Sequence, residues 1–135
     1  MTRLALIAAV ATATLAATAS ASTSPPRILD CGGKALVRPT GTLVLSCADA
    51  NSELRKTRWT SWGRASAVGT TDLGLNLCDP NCAASKMSFF PHSRVRLSGV
   101  KRTKLGLLFT RVTVSYLLHG KTRVFVGYPP TSRMP

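Results

Sequence analysis

Two closely spaced cysteines could serve more chemical roles than any other residues of this sequence. Cys78 and Cys82 bracket the segment Asp-Pro-Asn, and such a pair can form a disulfide, bind a metal or act in redox exchange. A zinc site needs four ligands, so His92 and His119, or Asp79, would have to complete it. Redox pairs are typically Cys-x-x-Cys beside a βαβ unit. The spacing here is one residue longer and a second cluster of ligands is missing, which disfavours both metal binding and redox exchange.

The N-terminus predicts the compartment of these thiols. Arg3 precedes an apolar run over residues 4–15, and the small-residue patterns Ala17-Thr18-Ala19 and Ala19-Ser20-Ala21 follow it. This three-part order is typical of a secretory signal peptide, and the run is shorter than the about 20 residues that a transmembrane helix needs. We therefore expect a signal peptide over residues 1–21, no transmembrane anchor, and a secreted, extracellular protein.

The number of cysteines then favours disulfides. The chain has four, and an even number in an exported chain predicts a disulfide framework. Of the three possible connectivities, Cys31–Cys47 with Cys78–Cys82 is the most local, and Pro80 limits the freedom of the shorter ring before it closes. The crossed pairings stay open, because the sequence does not show which strands are neighbours.

Acid–base catalysis is the other chemistry to consider. His92 and His119 are the two histidines, and a pair of imidazoles can cleave RNA by general acid–base catalysis. Each of them stands at a predicted strand start or turn. The five acidic residues are scattered, so no element presents two facing carboxylates for glycoside hydrolysis, and a Gly-x-Ser-x-Gly motif is missing. The sequence predicts no catalytic residue, no metal and no cofactor.

The segments that must position these residues are predominantly β-strands. Apolar and polar residues alternate over 93–100, 107–117 and 121–128, and His119-Gly120 between the last two predicts a hairpin. Gly32-Gly33 predicts a tight turn, and only Asp49–Arg55 has residues suited to one helical turn. Short strands with Gly and Pro between them predict an all-β fold, a small antiparallel sandwich or barrel-like sheet clipped by two disulfides. We expect a flexible segment over 22–27, a single β domain over 28–128 and a tail over 129–135.

The charge of the chain is strongly unbalanced. Lysine and arginine total 18 against 5 acidic residues, a net charge of +13. Such a charge attracts nucleic acid, acidic wall polymers or anionic lipid headgroups. Alternation places arginines at polar positions of three successive strands, with Phe109 and Phe125 interleaved, and the connecting loop adds three cations. The candidates for a polyanion-binding face, with a merely solvated face as the alternative, are Arg94, Arg96, Lys101, Arg102, Lys104, Arg111 and Arg123.

The two tryptophans are candidates for stacking on a sugar or a base. Trp59 and Trp62 are three residues apart, and on a regular strand that spacing points them to opposite faces. We therefore expect one of them in the core and the other exposed, unless a bulge intervenes.

Three segments together support a resemblance. They are Cys47-Ala48-Asp49-Ala50-Asn51, Trp59-Thr60-Ser61-Trp62-Gly63 and Cys78-Asp79-Pro80-Asn81-Cys82-Ala83. In this order they resemble small secreted actinobacterial proteins of unknown function, which have a signal peptide and C-A-D-x-N, W-x-x-W and C-x-P-x-C-A segments. The resemblance covers residues 31–115, departs from the pattern at Ser85, where a glycine is expected, and implies no catalytic residue.

The leading functional hypothesis is a non-enzymatic binding or structural protein at the cell surface or wall. Its basic face would bind an acidic polymer or wall component, or a protein partner. The alternative is a small secreted hydrolase acting on nucleic acid.

Overall fold

The computed structural model describes residues 24–132, and this part of the chain is all-β, as predicted. The predicted signal peptide over residues 1–21 and residues 133–135 of the predicted tail lie outside the described residues. The eight strands are β1 (Ile28–Leu29), β2 (Ala35–Leu36), β3 (Leu43–Val44), β4 (Ser52–Trp62), β5 (Ala67–Asn76), β6 (Met87–Thr103), β7 (Gly106–Leu118) and β8 (Lys121–Gly127).

Six of these strands form one antiparallel sheet in the order of the sequence, β3-β4-β5-β6-β7-β8, and β1 pairs with β2 in a separate ribbon. β6 and β7, and likewise β7 and β8, are joined by two residues, the short link that antiparallel strands allow. His119 and Gly120 have φ angles of 50° and 74°, the positive values that a tight hairpin turn requires. The predicted β7–β8 hairpin is therefore confirmed.

The sheet curls around one hydrophobic core. The two edge strands of the sheet are β3 and β8, and their ends approach each other. A Cβ placed on Gly127 of β8 would lie 3.8 Å from the Cβ of Leu45, the residue that follows β3. We call the side of the sheet that lines the core the inner face, and the opposite side the outer face. The buried core cluster consists of Ile28, Leu43, Leu45, Leu54, Ala67, Leu73, Leu75, Val95, Leu97, Phe109, Val112 and Val114.

The segment before β1 is held by β7. β8 pairs with β7 from Val112 onward, which leaves the edge of β7 before that residue open to another partner. Arg27 takes this edge: its N–H donates to the Leu107 carbonyl and its carbonyl accepts from the Phe109 N–H, both at 2.9 Å. Pro26 is also fully buried. The expectation of a flexible segment over 22–27 therefore does not hold for residues 26 and 27.

Two disulfides clip the sheet, with the most local of the possible pairings. Cys31 in the β1–β2 turn is bonded to Cys47 between β3 and β4, and Cys78 is bonded to Cys82 in the loop between β5 and β6. All four cysteines are thereby oxidised. The disulfide interpretation of the close pair is confirmed, and Cys78 and Cys82 carry no thiolate for a metal.

Candidate functional site

Two irregularities in β4 decide which of its side chains reach the core. The register with β5 shifts between Arg55 and Arg58, and again between Trp59 and Ser61. An extra residue in a strand reverses the faces of the residues that follow it. Because of the second shift, Trp59 and Trp62 both pack against the core. The two side chains do not point to opposite faces as on a regular strand, because the bulge that was allowed for as the exception is present.

Both indoles are committed to the fold. Their rings meet edge to face with 4.8 Å between centroids. The Trp59 Nε1–H donates to the Pro39 carbonyl at 2.9 Å, and the Trp62 Nε1–H donates to the Pro26 carbonyl at 2.8 Å. Both rings therefore pack as part of the fold, with their polar atoms bonded to backbone carbonyls.

The phenylalanines also lie elsewhere than predicted. Phe109 is 0% exposed and belongs to the core cluster, and Phe125 pairs with the buried Val114 on the inner face. Phe109 reaches the core because regular alternation is lost near Gly99, which has a φ of +68°. Glycine adopts this conformation readily because it has no Cβ. The two phenylalanines therefore do not interleave with the arginines.

Four arginines do share the outer face. Arg58 on β4 and Arg94 on β6 flank the same residue of β5, Thr70. Directly opposed residues in a ladder project to the same side, so Arg58 and Arg94 stand in one row. Arg96 is two residues along β6, and Arg111 on β7 is opposite Ser98 of the same strand. All four are exposed, and we call Arg58, Arg94, Arg96 and Arg111 the basic face.

The structure excludes one of the predicted cations from this group. Arg123 is opposite Tyr116 in the β7–β8 ladder. Tyr116 packs against the core and against Phe90, with ring centroids 4.7 Å apart, so Arg123 projects from the inner side of the sheet near its edge. The strands are neighbours as predicted, but the position of Arg123 within β8 places it on the opposite face.

The three cations expected in the connecting loop are divided, because β6 extends to Thr103 and includes Lys101 and Arg102. Lys101 lines an open cavity of about 600 Å³ with Arg111 and Tyr128, which extends the basic face at its far end. Arg102 alternates to the other side of β6, and Lys104 stands in the turn before β7. Of the seven predicted cations, four lie on the outer face, namely Arg94, Arg96, Arg111 and Lys101.

The positive charge of the basic face is not neutralised within residues 24–132. The ion pairs found there join Arg55 to Glu53 at 3.7 Å and Lys56 to Asp72 at 3.9 Å. Both pairs lie on β4 and β5, and Asp72 lines the same cavity as Arg58 but pairs with Lys56. None of the four arginines has a carboxylate within ion-pairing distance in this part of the chain. Their charges therefore add to one another, and the local potential is positive.

The spacing of these charges suits an extended partner. Arg94 and Arg96 are two residues apart on a strand, which separates their Cα atoms by about 7 Å, and Arg58 and Arg94 are two strands apart, about 10 Å. Guanidinium groups at such intervals can each donate hydrogen bonds to a separate phosphate, sulfate or carboxylate. The four guanidinium groups are therefore spread along a surface and do not line a single enclosed pocket.

One cavity beside the basic face contains a histidine. It measures about 260 Å³, and Lys56, Arg58, Asp72 and His92 are among its lining residues. His119 lies in the β7–β8 turn and is not part of this lining. The two imidazoles of the RNA-cleavage hypothesis are therefore not brought together around this cavity.

Comparison with known proteins adds no assignment. No family model, no curated protein and no solved structure matches the chain. Across residues 24–132, His, Cys, Asp and Glu form no group of three that could hold a metal ion. In the same range, no helix has the length and apolar character needed to cross a membrane. The function has to be argued from the basic face itself.

Proposed function

We propose that this protein is a secreted, non-enzymatic binding protein that attaches to polyanions at the cell surface or wall through its basic face. The observation that carries the proposal is the set of four arginines on one side of one sheet, with no carboxylate in ion-pairing distance among the described residues. A surface that only needs to be solvated gains nothing from like charges placed together, because they repel one another.

The rigidity of the sheet supports the same function. The hydrogen-bonded ladders of β4 to β7 fix the backbone under all four arginines. Binding therefore has to order side chains only, which lowers its entropic cost. Each arginine that contacts an anionic group also releases counterions, so the affinity should fall steeply as salt rises.

Export fits this function. Two disulfides are typical of proteins in oxidising compartments, and the N-terminal pattern over residues 1–21 is that of a secretory signal peptide. We include in the proposal the relation to small secreted actinobacterial proteins with C-A-D-x-N, W-x-x-W and C-x-P-x-C-A segments. An exported basic protein would meet acidic wall polymers and anionic headgroups directly.

Retention on immobilised heparin at increasing sodium chloride tests the proposal. The triple variant Arg94→Gln, Arg96→Gln, Arg111→Gln should elute at much lower salt, with the slope of log affinity against log salt reduced by about 2 to 3. The matched control is the triple variant Lys34→Gln, Lys121→Gln, Arg123→Gln. It also removes three positive charges, but from positions outside the basic face. The control should keep the wild-type slope.

Equal losses in the two triple variants would contradict the proposal. That result would mean that net charge alone attracts the polymer and that the arrangement of the outer face is irrelevant. Wild-type protein that passes through the column at low salt would contradict it as well.

Hydrolysis of nucleic acid is the second candidate. It is favoured by the cavity that His92 lines together with Lys56, Arg58 and Asp72, since an imidazole beside cations is suited to phosphodiester chemistry. Cleavage of RNA between pH 5 and 8 that is lost in His92→Ala would support it. Absence of turnover in wild-type protein over that range would reject it.

A further inference from the structure

An exposed apolar strip lies beside the basic face. It consists of Leu117 on β7, 66% exposed, Val124 and Val126 on β8, 59% and 43% exposed, and Tyr128 just after β8, 66% exposed. Isolated apolar side chains are common on protein surfaces, but contiguous ones mark contact sites. We call these four residues the apolar strip.

The ladder places the strip and the basic face on the same side of the sheet. Val124 is opposite Ser115, which is opposite Arg94. Val126 and Arg96 flank Thr113 in the same way. Each row therefore runs from an arginine across a small hydroxyl residue to a valine, over about 10 Å.

An arginine also lies beside an apolar group where Arg111 meets Tyr128, and here the apolar group is an aromatic ring. The Arg111 guanidinium lies 5.7 Å from the centroid of the Tyr128 ring. Tyrosine is suited to a boundary between polar and apolar surroundings, because its ring is apolar and its hydroxyl is polar. On the outer face the cations of β6 and β7 thus lie alongside the apolar residues at the end of β7 and on β8.

A water-soluble polyanion accounts for the arginines but not for the apolar strip. An anionic lipid surface accounts for both, because its phosphates lie directly above its acyl chains. We propose that the outer face docks onto an anionic lipid surface, with the arginines on headgroup phosphates and the apolar strip in the upper acyl region. The inference rests on the proposed function and names the polyanion as a lipid headgroup layer.

A second copy of the chain fits the apolar strip less well. Pairing through the edge of β8 would bring two strongly basic chains together. The edge strand carries Lys121 and Arg123, and charged residues on an edge strand oppose edge-to-edge pairing. The end of that edge is also approached by Leu45, near Gly127.

The docking should be reversible and depend on both groups. Each arginine near an anionic surface contributes about fivefold to the affinity at low salt. Two half-exposed valines that leave water should together contribute about tenfold. Neutral lipid offers only the second contribution, so binding should require anionic headgroups.

Flotation with vesicles tests the inference. The probes are vesicles of phosphatidylcholine alone and with phosphatidylglycerol. Wild-type protein should float only with the anionic vesicles. Val124→Ser, Val126→Ser should weaken vesicle binding about tenfold and leave heparin retention unchanged. The matched control Val37→Ser, Leu77→Ser removes two other exposed apolar side chains, 48% and 42% exposed, and should float as wild type does.

The outcomes separate this inference from the proposed function. If the Val124, Val126 variant floats as well as wild type, or if wild type does not float, the lipid inference is overturned; retention on heparin decides the proposed function separately. If sedimentation without lipid shows a dimer that the two valine substitutions dissociate, the apolar strip joins two copies and the inference is also overturned.

Discussion

The inner and outer faces of the sheet are built from alternate residues of the same strands, yet they differ in almost every physical property. On β6 the inner residues Val95 and Leu97 are 0% exposed. Arg94 and Arg96, which alternate with them along the strand, are exposed. The inner residues stabilise the fold by leaving water, and the outer arginines have no carboxylate in ion-pairing distance within residues 24–132. We therefore predict that the charges of the outer face can be changed without loss of the fold.

The largest expected effect is on the inner face. Phe109→Ala removes a fully buried ring that also meets Trp62 edge to face, with centroids 5.4 Å apart. The free energy of unfolding should fall by about 3 to 5 kcal/mol. Urea unfolding followed by circular dichroism measures it. A loss below about 1 kcal/mol would show that this part of the inner face is not closely packed.

The disulfides come next, and their effects should differ from each other. Cys31 and Cys47 are 16 positions apart in the sequence. Replacing both by serine opens the loop that they close, and loop-closure entropy predicts that the free energy of unfolding falls by about 3 kcal/mol. Cys78 and Cys82 are only 4 positions apart. Replacing both by serine should lower the free energy of unfolding by about 2 kcal/mol. Thermal unfolding of the two double variants tests this order, and the reverse order would contradict it.

The smallest effect concerns a residue on neither face. The Asn51 N–H donates to the Asp49 carboxylate, and this hydrogen bond lowers the pKa of Asp49 below its usual 3.8. A lowered pKa in the folded state means that the carboxylate stabilises the protein above pH 3.8 and loses this effect as the pH falls through the folded-state value. Asp49→Asn should therefore be less stable than wild type near pH 6, and the difference should shrink towards pH 2. Urea unfolding at several pH values measures it; a difference that stays constant over this range would contradict the interpretation.

Local patterns were sufficient to predict several features of the fold. The β7–β8 hairpin follows from alternation around His119-Gly120, where turn chemistry acts directly. Two disulfides follow from the even number of cysteines, but the crossed pairings stayed open until the structure showed Cys31–Cys47 and Cys78–Cys82. The all-β class follows from the same short-range signals.

The errors arose where alternation is interrupted. Trp59 and Trp62 were expected on opposite faces unless a bulge intervened, and a shift in the β4–β5 register brings both to the core. Phe109 was expected beside the arginines and is buried, because alternation is lost near Gly99. A bulge is stabilised by the neighbouring strand as well as by its own sequence, so a single strand read alone does not locate it.

The composition of the basic face shows the same limit. Arg94, Arg96 and Arg111 were predicted from alternation on β6 and β7, but Arg58 was missed because only the pairing through Thr70 places it beside Arg94. Arg123 was included because its position in β8 relative to β7 was not known. Register between strands is set by contacts distant in sequence, and one sequence does not contain that information explicitly.

The most direct test of the two-face account is urea unfolding of the triple variant Arg94→Gln, Arg96→Gln, Arg111→Gln. The account predicts a free energy of unfolding within about 0.5 kcal/mol of wild type, because exposed side chains without an ion-pair partner contribute little to stability, and the contact of Arg111 is with an exposed ring, that of Tyr128. Relief of repulsion among like charges could raise it slightly. A loss of more than about 2 kcal/mol would contradict the account, since the arginines would then hold the fold together and any loss of binding would reflect unfolding.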